Sequence, residues 1–121
     1  MSRVCLVAIV LFLTACSIPP EFIRADGVLV VEVTGHETFR VGDHMYTTGA
    51  LEVAMERLSK SPALKRVELY IPSKMAHQTG FSCQSYAVAI LASGKEWQFY
   101  EWTPGQPETK APTKCDYAVL S

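Results

Sequence analysis

This sequence predicts a small α+β domain, and three stretches carry the prediction. Gly27 to Thr34 (Gly-Val-Leu-Val-Val-Glu-Val-Thr) is dense in β-branched residues, which suit a pleated, buried strand. Leu51, Ala54, Met55 and Leu58 fall at i, i+3, i+4 and i+7, one face of an amphipathic helix. Val67, Leu69 and Ile71 alternate with Glu68 and Tyr70, which is the two-residue period of another core strand.

In chain order, the run Gly27 to Thr34 reads as a central strand, and Gly35-His36-Glu37 turns the chain. Thr38-Phe39-Arg40-Val41 makes a second, short strand closed by Gly42-Asp43. Thr48 offers a side-chain cap for the helix, Glu52 suits its first turn, and Glu56 with Lys60 is a favourable i,i+4 pair. Ser61-Pro62 stops it. The strand Val67 to Ile71 ends at Pro72. The next stretch is open to two readings. Cys83, Tyr86, Ala87, Ile90 and Leu91 share a helical face ahead of Gly94, yet Tyr86 to Ala92 also alternates large with small residues. In the second reading Ala92-Ser93-Gly94-Lys95 turns a hairpin. Trp97 to Trp102 is a strand in either case. Thr103 to Lys114 holds three prolines and reads as loop, and Asp116 to Leu120 has the composition of a short edge strand.

The N-terminus gives an address. Arg3 is followed by the apolar run Val4 to Leu13 and then by Leu13-Thr14-Ala15-Cys16, the order of a secretory signal peptide. A spanning helix needs about 20 apolar residues, whereas Val4 to Ala15 offers 12 before Ser17, Pro19 and Pro20 interrupt. Leu13-Thr14-Ala15-Cys16 resembles the lipobox of bacterial lipoproteins. That resemblance implies cleavage before Cys16, acylation of Cys16 with palmitate-type chains, and a membrane anchor in the cell envelope. Ser17 lacks the aspartate that commonly retains such proteins in the inner membrane, so the resemblance implies the outer membrane, with the domain facing the periplasm. The organisation is then residues 1–15 as signal peptide, 16–26 as the acylated cysteine and a tether, 27–102 as the domain, and 103–121 as a Pro-rich tail. Fully extended, the ten tether residues Ser17 to Asp26 reach at most about 35 Å.

Of the four cysteines, Cys5 leaves with the signal and Cys16 is consumed by lipid, which leaves Cys83 and Cys115. An even pair in an oxidising compartment reads as a disulfide, worth about 3–4 kcal/mol on the chain-entropy estimate. Two free thiols are the alternative.

The order strand, strand, helix, strand, helix, strand resembles the periplasmic domain of the ExbD/TolR family of biopolymer-transport proteins over residues 27–102. The likeness rests on Gly42-Asp43 after the second strand, Leu51 leading the first helix, the strand Val67-Glu68-Leu69-Tyr70-Ile71, and the interval from Ile71 to Gly94. It implies a two-layer sandwich of order ββαβαβ, with a helix rather than a hairpin between Ser82 and Ser93. Members of that family carry a transmembrane helix with a proton-conducting aspartate. Here a lipid anchor stands in its place, and Ser73 or Lys74 replaces the acidic residue after the third strand. The family's energy-coupling chemistry therefore does not carry over.

The residues exclude more chemistry than they suggest. With 11 Lys and Arg against 12 Asp and Glu, the chain has a net charge of −1 and no basic footprint for nucleic acid. No glycine-rich phosphate loop occurs. His36, Glu37, Asp43 and His44 cluster around the first turns, but their spacing matches no zinc pattern, and solvated loop residues are expected there, with no metal or other cofactor. His77 with Ser73 or Cys83 would give a small hydrolase-like site, though no nucleophile-elbow pattern accompanies it. The aromatic strand is the stronger lead. Trp97 and Phe99 point to one side and Tyr100 and Trp102 to the other. There the pair either lies under the C-terminal tail pinned by the expected disulfide or, since Tyr and Trp left outside a core are favoured contact residues, meets a partner. The expectation is a non-enzymatic protein- or peptide-binding module, an envelope accessory or a toxin-immunity lipoprotein, with Tyr100 and Trp102 as contact residues.

Overall fold

A computed structural model describes residues 17–78 and 84–113. The signal segment 1–15, the lipidation residue Cys16, the expected bridge partners Cys83 and Cys115, and the edge strand at 116–120 lie outside the described residues. The chain forms an α+β two-layer structure: one six-stranded mixed sheet with helices on one face. Its elements are β1 (Val28–Gly35), β2 (Thr38–Val41), β3 (His44–Thr47), α1 (Thr48–Leu58), β4 (Arg66–Pro72), α2 (Ser73–Ala76), α3 (Gln84–Leu91), β5 (Glu96–Thr103) and β6 (Gln106–Thr113). Across the sheet the order is β3-β2-β1-β4-β5-β6. The three central strands β1, β4 and β5 run parallel, and the outer strands β2, β3 and β6 add antiparallel. Parallel neighbours need crossovers, which α1 supplies between β1 and β4 and α3 between β4 and β5.

Alternation sorts the strands onto two faces. Leu29, Val31 and Val33 of β1, Phe39 and Val41 of β2, Val67, Leu69 and Ile71 of β4 and Phe99 of β5 form the core with Leu51, Ala54, Met55 and Leu58 of α1 and Ala87 and Ile90 of α3. The predicted helix face of α1 is thus the buried one. Thr47 rather than Thr48 caps it, its hydroxyl accepting from the Ala50 amide at 3.3 Å, because the helix begins one residue earlier, at Thr48. Consequently Glu52 falls beyond the first turn. Between β4 and β5 the chain takes the helical alternative, α3, and not the hairpin.

Two strands were not expected from the sequence. His44–Thr47 pairs with β2 across the two-residue turn Gly42-Asp43, Val41 facing His44. Gly42 has φ +61°, the left-handed value a type II′ hairpin needs at its first central residue. The stretch from Thr103 to Lys114, expected as loop, instead carries β6, which pairs antiparallel with β5 from Thr103–Gln106 to Phe99–Thr113. Its turn is Pro104-Gly105, with Gly105 at φ +83°, the Pro-then-Gly arrangement of a type II turn. Prolines at 107 and 112 are tolerated because β6 is an edge strand. A one-turn helix, α2, also follows β4 directly.

The segment expected as a tether is packed onto the domain. Ile18 is 3% exposed and belongs to the core, and Phe22 and Ile23 lie against it. Pro20–Phe22 forms a 3₁₀ turn, the Arg24 amide donates to the Val28 carbonyl at 2.9 Å, and Phe22 lies across Gly42, edge-on to the His44 ring at 5.3 Å. A Cβ at position 42 would stand 2.5–2.8 Å from the Phe22 ring carbons. Gly105, by contrast, has open space where a Cβ would go. Alanine at either site is strained by its positive φ at about 1 kcal/mol or more. Gly42→Ala should therefore cost about 1 kcal/mol more than Gly105→Ala, since it also dislodges Phe22. Urea denaturation of the two variants measures the difference, and equal losses would show that Phe22 contributes nothing there.

Candidate functional site

The second face of the sheet carries no helix among the described residues, and long side chains cover it from within the sheet. Register lines them up. Arg40 faces Glu32, Glu32 faces Tyr70, Tyr70 faces Tyr100 and Tyr100 faces Pro112, across β2, β1, β4, β5 and β6. The neighbouring row holds Val30, Glu68 and Gln98.

At the centre stands Glu68, a carboxylate only 7% exposed. Charge in so dry a place needs partners. The Tyr70 hydroxyl donates to one oxygen at 3.2 Å and the Tyr100 hydroxyl to the other at 3.4 Å. Arg66 Nε stands 3.6 Å and Lys110 Nζ 3.8 Å from the same carboxylate. Arg66 also donates to the Tyr100 hydroxyl at 3.3 Å. The Lys110 ammonium sits over two rings, 4.8 Å from the Tyr100 centroid and 5.5 Å from that of Tyr70, close enough for cation–π attraction. Tyr70 in turn packs against Tyr100 at 5.4 Å and edge-on against Trp102 at 5.0 Å.

These contacts move the ionisation equilibria. Burial pushes the Tyr70 phenol up, with Lys110 opposing and Glu68 reinforcing. Lys110 is held above its ordinary value, chiefly by hydrogen bonding with Tyr70 and then by the charges around it, against its own desolvation. Arg66 is likewise raised, first by Tyr100.

Of the two residues expected as partner contacts, Tyr100 is half-buried and Trp102 is 7% exposed. Both lie on the helix-free face as alternation required, with Phe99 in the core and Trp97 at the rim, 37% exposed and 5.0 Å from the Phe99 ring. The Trp102 indole N–H is buried and, among the described residues, has no hydrogen-bond acceptor. Sequence reasoning missed Glu68, Arg66 and Lys110. Glu68 and Tyr70 were signalled by their alternation with Val67 and Leu69, whereas Lys110 required knowing that β6 exists.

The other candidates are dispersed. The His77 Nε2 lies 2.7 Å from Glu101 Oε2, and its backbone N–H donates to the Ser73 carbonyl at 3.2 Å. Among the described residues no hydrogen bond joins the Ser73 hydroxyl to His77, and Cys83 lies outside them. His36 stands beside Glu37, both exposed, and separately the half-buried His44 stands beside Asp43. Among the described residues no three His, Cys, Asp or Glu side chains converge on a metal position, and no helix is long and apolar enough to cross a membrane. The chain matches no family model, no curated protein and no solved structure.

Two measurements follow from this geometry. Tyr70 and Tyr86, both raised chiefly by burial, should ionise above the ordinary phenol value of 10.0. Their folded values exceed the unfolded ones, so their stabilisation is complete below pH 10 and is lost as pH rises through the native values. Ultraviolet titration of the native protein should show a late-ionising fraction that Tyr70→Phe and Tyr86→Phe each diminish. Trp102→Phe, which removes the unsatisfied N–H, should cost about 1 kcal/mol or less, against about 3–5 kcal/mol for Trp102→Ala. A costly Trp102→Phe would mean that the indole N–H is satisfied in solution.

Proposed function

We propose that this chain is a lipoprotein of the bacterial cell envelope, anchored through acylated Cys16 and facing the periplasm. In this reading it binds a protein or peptide partner and performs no catalysis. The outer membrane is its expected site, given Ser17 after the acylated cysteine. The observation that carries the binding reading is the aromatic and ionic cluster on the helix-free sheet face: Tyr100 and Lys110 at the surface, backed by Glu68, Tyr70 and Trp102. Tyr, Trp and Arg are the residue types that dominate contact surfaces, since they bring large area with fixed polar handles. Here the Glu68 node pre-orders them, which lowers the entropy lost on binding.

An envelope accessory and a toxin-immunity lipoprotein would use this surface alike and differ only in what it meets. The reading includes a Cys83–Cys115 bridge that holds the chain after β6. The fold likeness to the ExbD/TolR periplasmic domain is part of the proposal as architecture alone.

A photo-crosslinking amino acid in place of Tyr100 should trap a discrete partner in intact cells. The same group in place of Val88, exposed on α3 of the opposite layer, should not. Equal or absent adducts at both positions would overturn the binding surface. Radioactive palmitate should label the wild type and not Cys16→Ser, and the non-reduced mature protein should react with no thiol reagent. Label persisting in Cys16→Ser would remove the anchor, and two reactive thiols would remove the bridge.

A further inference from the structure

The segment that joins Cys16 to the domain has no slack. The Tyr46 hydroxyl donates to the Ser17 carbonyl at 3.1 Å, and an Arg57 guanidinium N–H reaches the Ser17 hydroxyl at 3.5 Å. Ile18 is sealed in the core, Pro19 accepts from the Phe22 amide at 3.0 Å, and Phe22 covers Gly42. Consecutive Cα atoms are about 3.8 Å apart, so the anchor atom of Cys16 lies one residue from a fixed point on the domain surface. That point is at the β3 side of the sheet, next to α1.

We propose that this docked arm seats the domain on the bilayer in one orientation, with the β3 edge and the adjoining stripe of α1 against phospholipid head groups. The inference rests on acylation of Cys16. Arg57, the residue that meets Ser17, shares its helix face with Val53 at i−4, and Lys60 follows in the turn just past the helix end. Val53 is 43% exposed, and Gly49, a further turn back, presents no side chain. Beside the anchor the surface therefore offers the apolar Val53 and then Arg57, with Lys60 past the helix end, which suit acyl-boundary and phosphate contacts in that order. Glu52 and Glu56 flank Val53 on the same exposed side of the helix, Glu56 one turn before Lys60.

The sheet order places the binding cluster at the other extreme. From β3 to β6 there are five strand spacings of about 4.8 Å, so Lys110 stands roughly 24 Å from the anchored edge. A partner would meet the cluster on the side away from the membrane.

The test uses the acylated protein reconstituted in vesicles of phosphatidylethanolamine and phosphatidylglycerol containing a head-group spin-labelled lipid. A fluorescent amino acid replaces Val53 in one preparation and Glu108 of β6 in another. Quenching at position 53 should exceed that at position 108 by about threefold or more, since five strand spacings separate the two edges. Inserting Ser-Gly-Ser-Gly-Ser-Gly between Cys16 and Ser17 leaves the fold untouched and gives the domain slack, so the two positions should then quench alike. Equal quenching without the insertion, in protein that carries palmitate, overturns the orientation and leaves the anchor standing. Absence of palmitate on the same samples overturns both.

Discussion

Six strands share a single helical layer, and that constraint governs most of the molecule. Two helices of 11 and 8 residues cover one face of the sheet. Among the described residues the other face carries no helix and buries its own side chains around one carboxylate, Glu68. Leaving Glu68 dry and unpaired would cost several kcal/mol. Two phenols and two cations from three strands remove that cost and in doing so tie β4, β5 and β6 together. The tie matters most for β6. Seven of its eight residues are exposed, two are prolines, and it brings no apolar side chain to the core. Its place depends on hydrogen bonds to β5, on the Pro104-Gly105 turn and on Lys110 reaching back over Tyr100 and Tyr70.

The same layering gives the molecule two unlike ends. At the β3 end the chain's own N-terminal arm closes the edge, with Ile18 and Phe22 taking the role that a further element would otherwise fill. Among the described residues the sheet finishes at β6 in an exposed, proline-bearing strand, which discourages pairing with another chain through its backbone. Recognition at that end is then a matter of the face rather than the edge. This is why the proposed contact surface is centred on Tyr100 and Lys110.

Much of this was legible in the residues, and the omissions have physical causes. β1, α1, β4 and β5 are strongly periodic, and period alone locates them because burial on one face enforces it. The sides of the aromatic strand followed from alternation, with Phe99 inward and Tyr100 and Trp102 outward. Short elements were harder. β3 has four residues and little periodicity of its own, although Gly42-Asp43 between two β-prone tetrapeptides is a hairpin turn pattern. β6 was hidden by its prolines, and only Pro104-Gly105 hinted at a turn. The docking of Ile18 and Phe22 could not be read from a Pro-rich stretch, since it depends on the space left at Gly42 and beside Tyr46. Glu68 looked like an outward-facing charge because its partners come from Tyr100 and Lys110, distant in sequence.

The account stands on the helix-free face being one connected network, not a set of independent surface contacts. A double-mutant cycle between Glu68→Gln and Lys110→Met, followed by urea unfolding, tests this most directly. A connected network predicts a coupling energy of about 0.5–1 kcal/mol or more between the two positions. Strictly additive losses would contradict it and leave Lys110 a bystander on a strand held by its backbone alone.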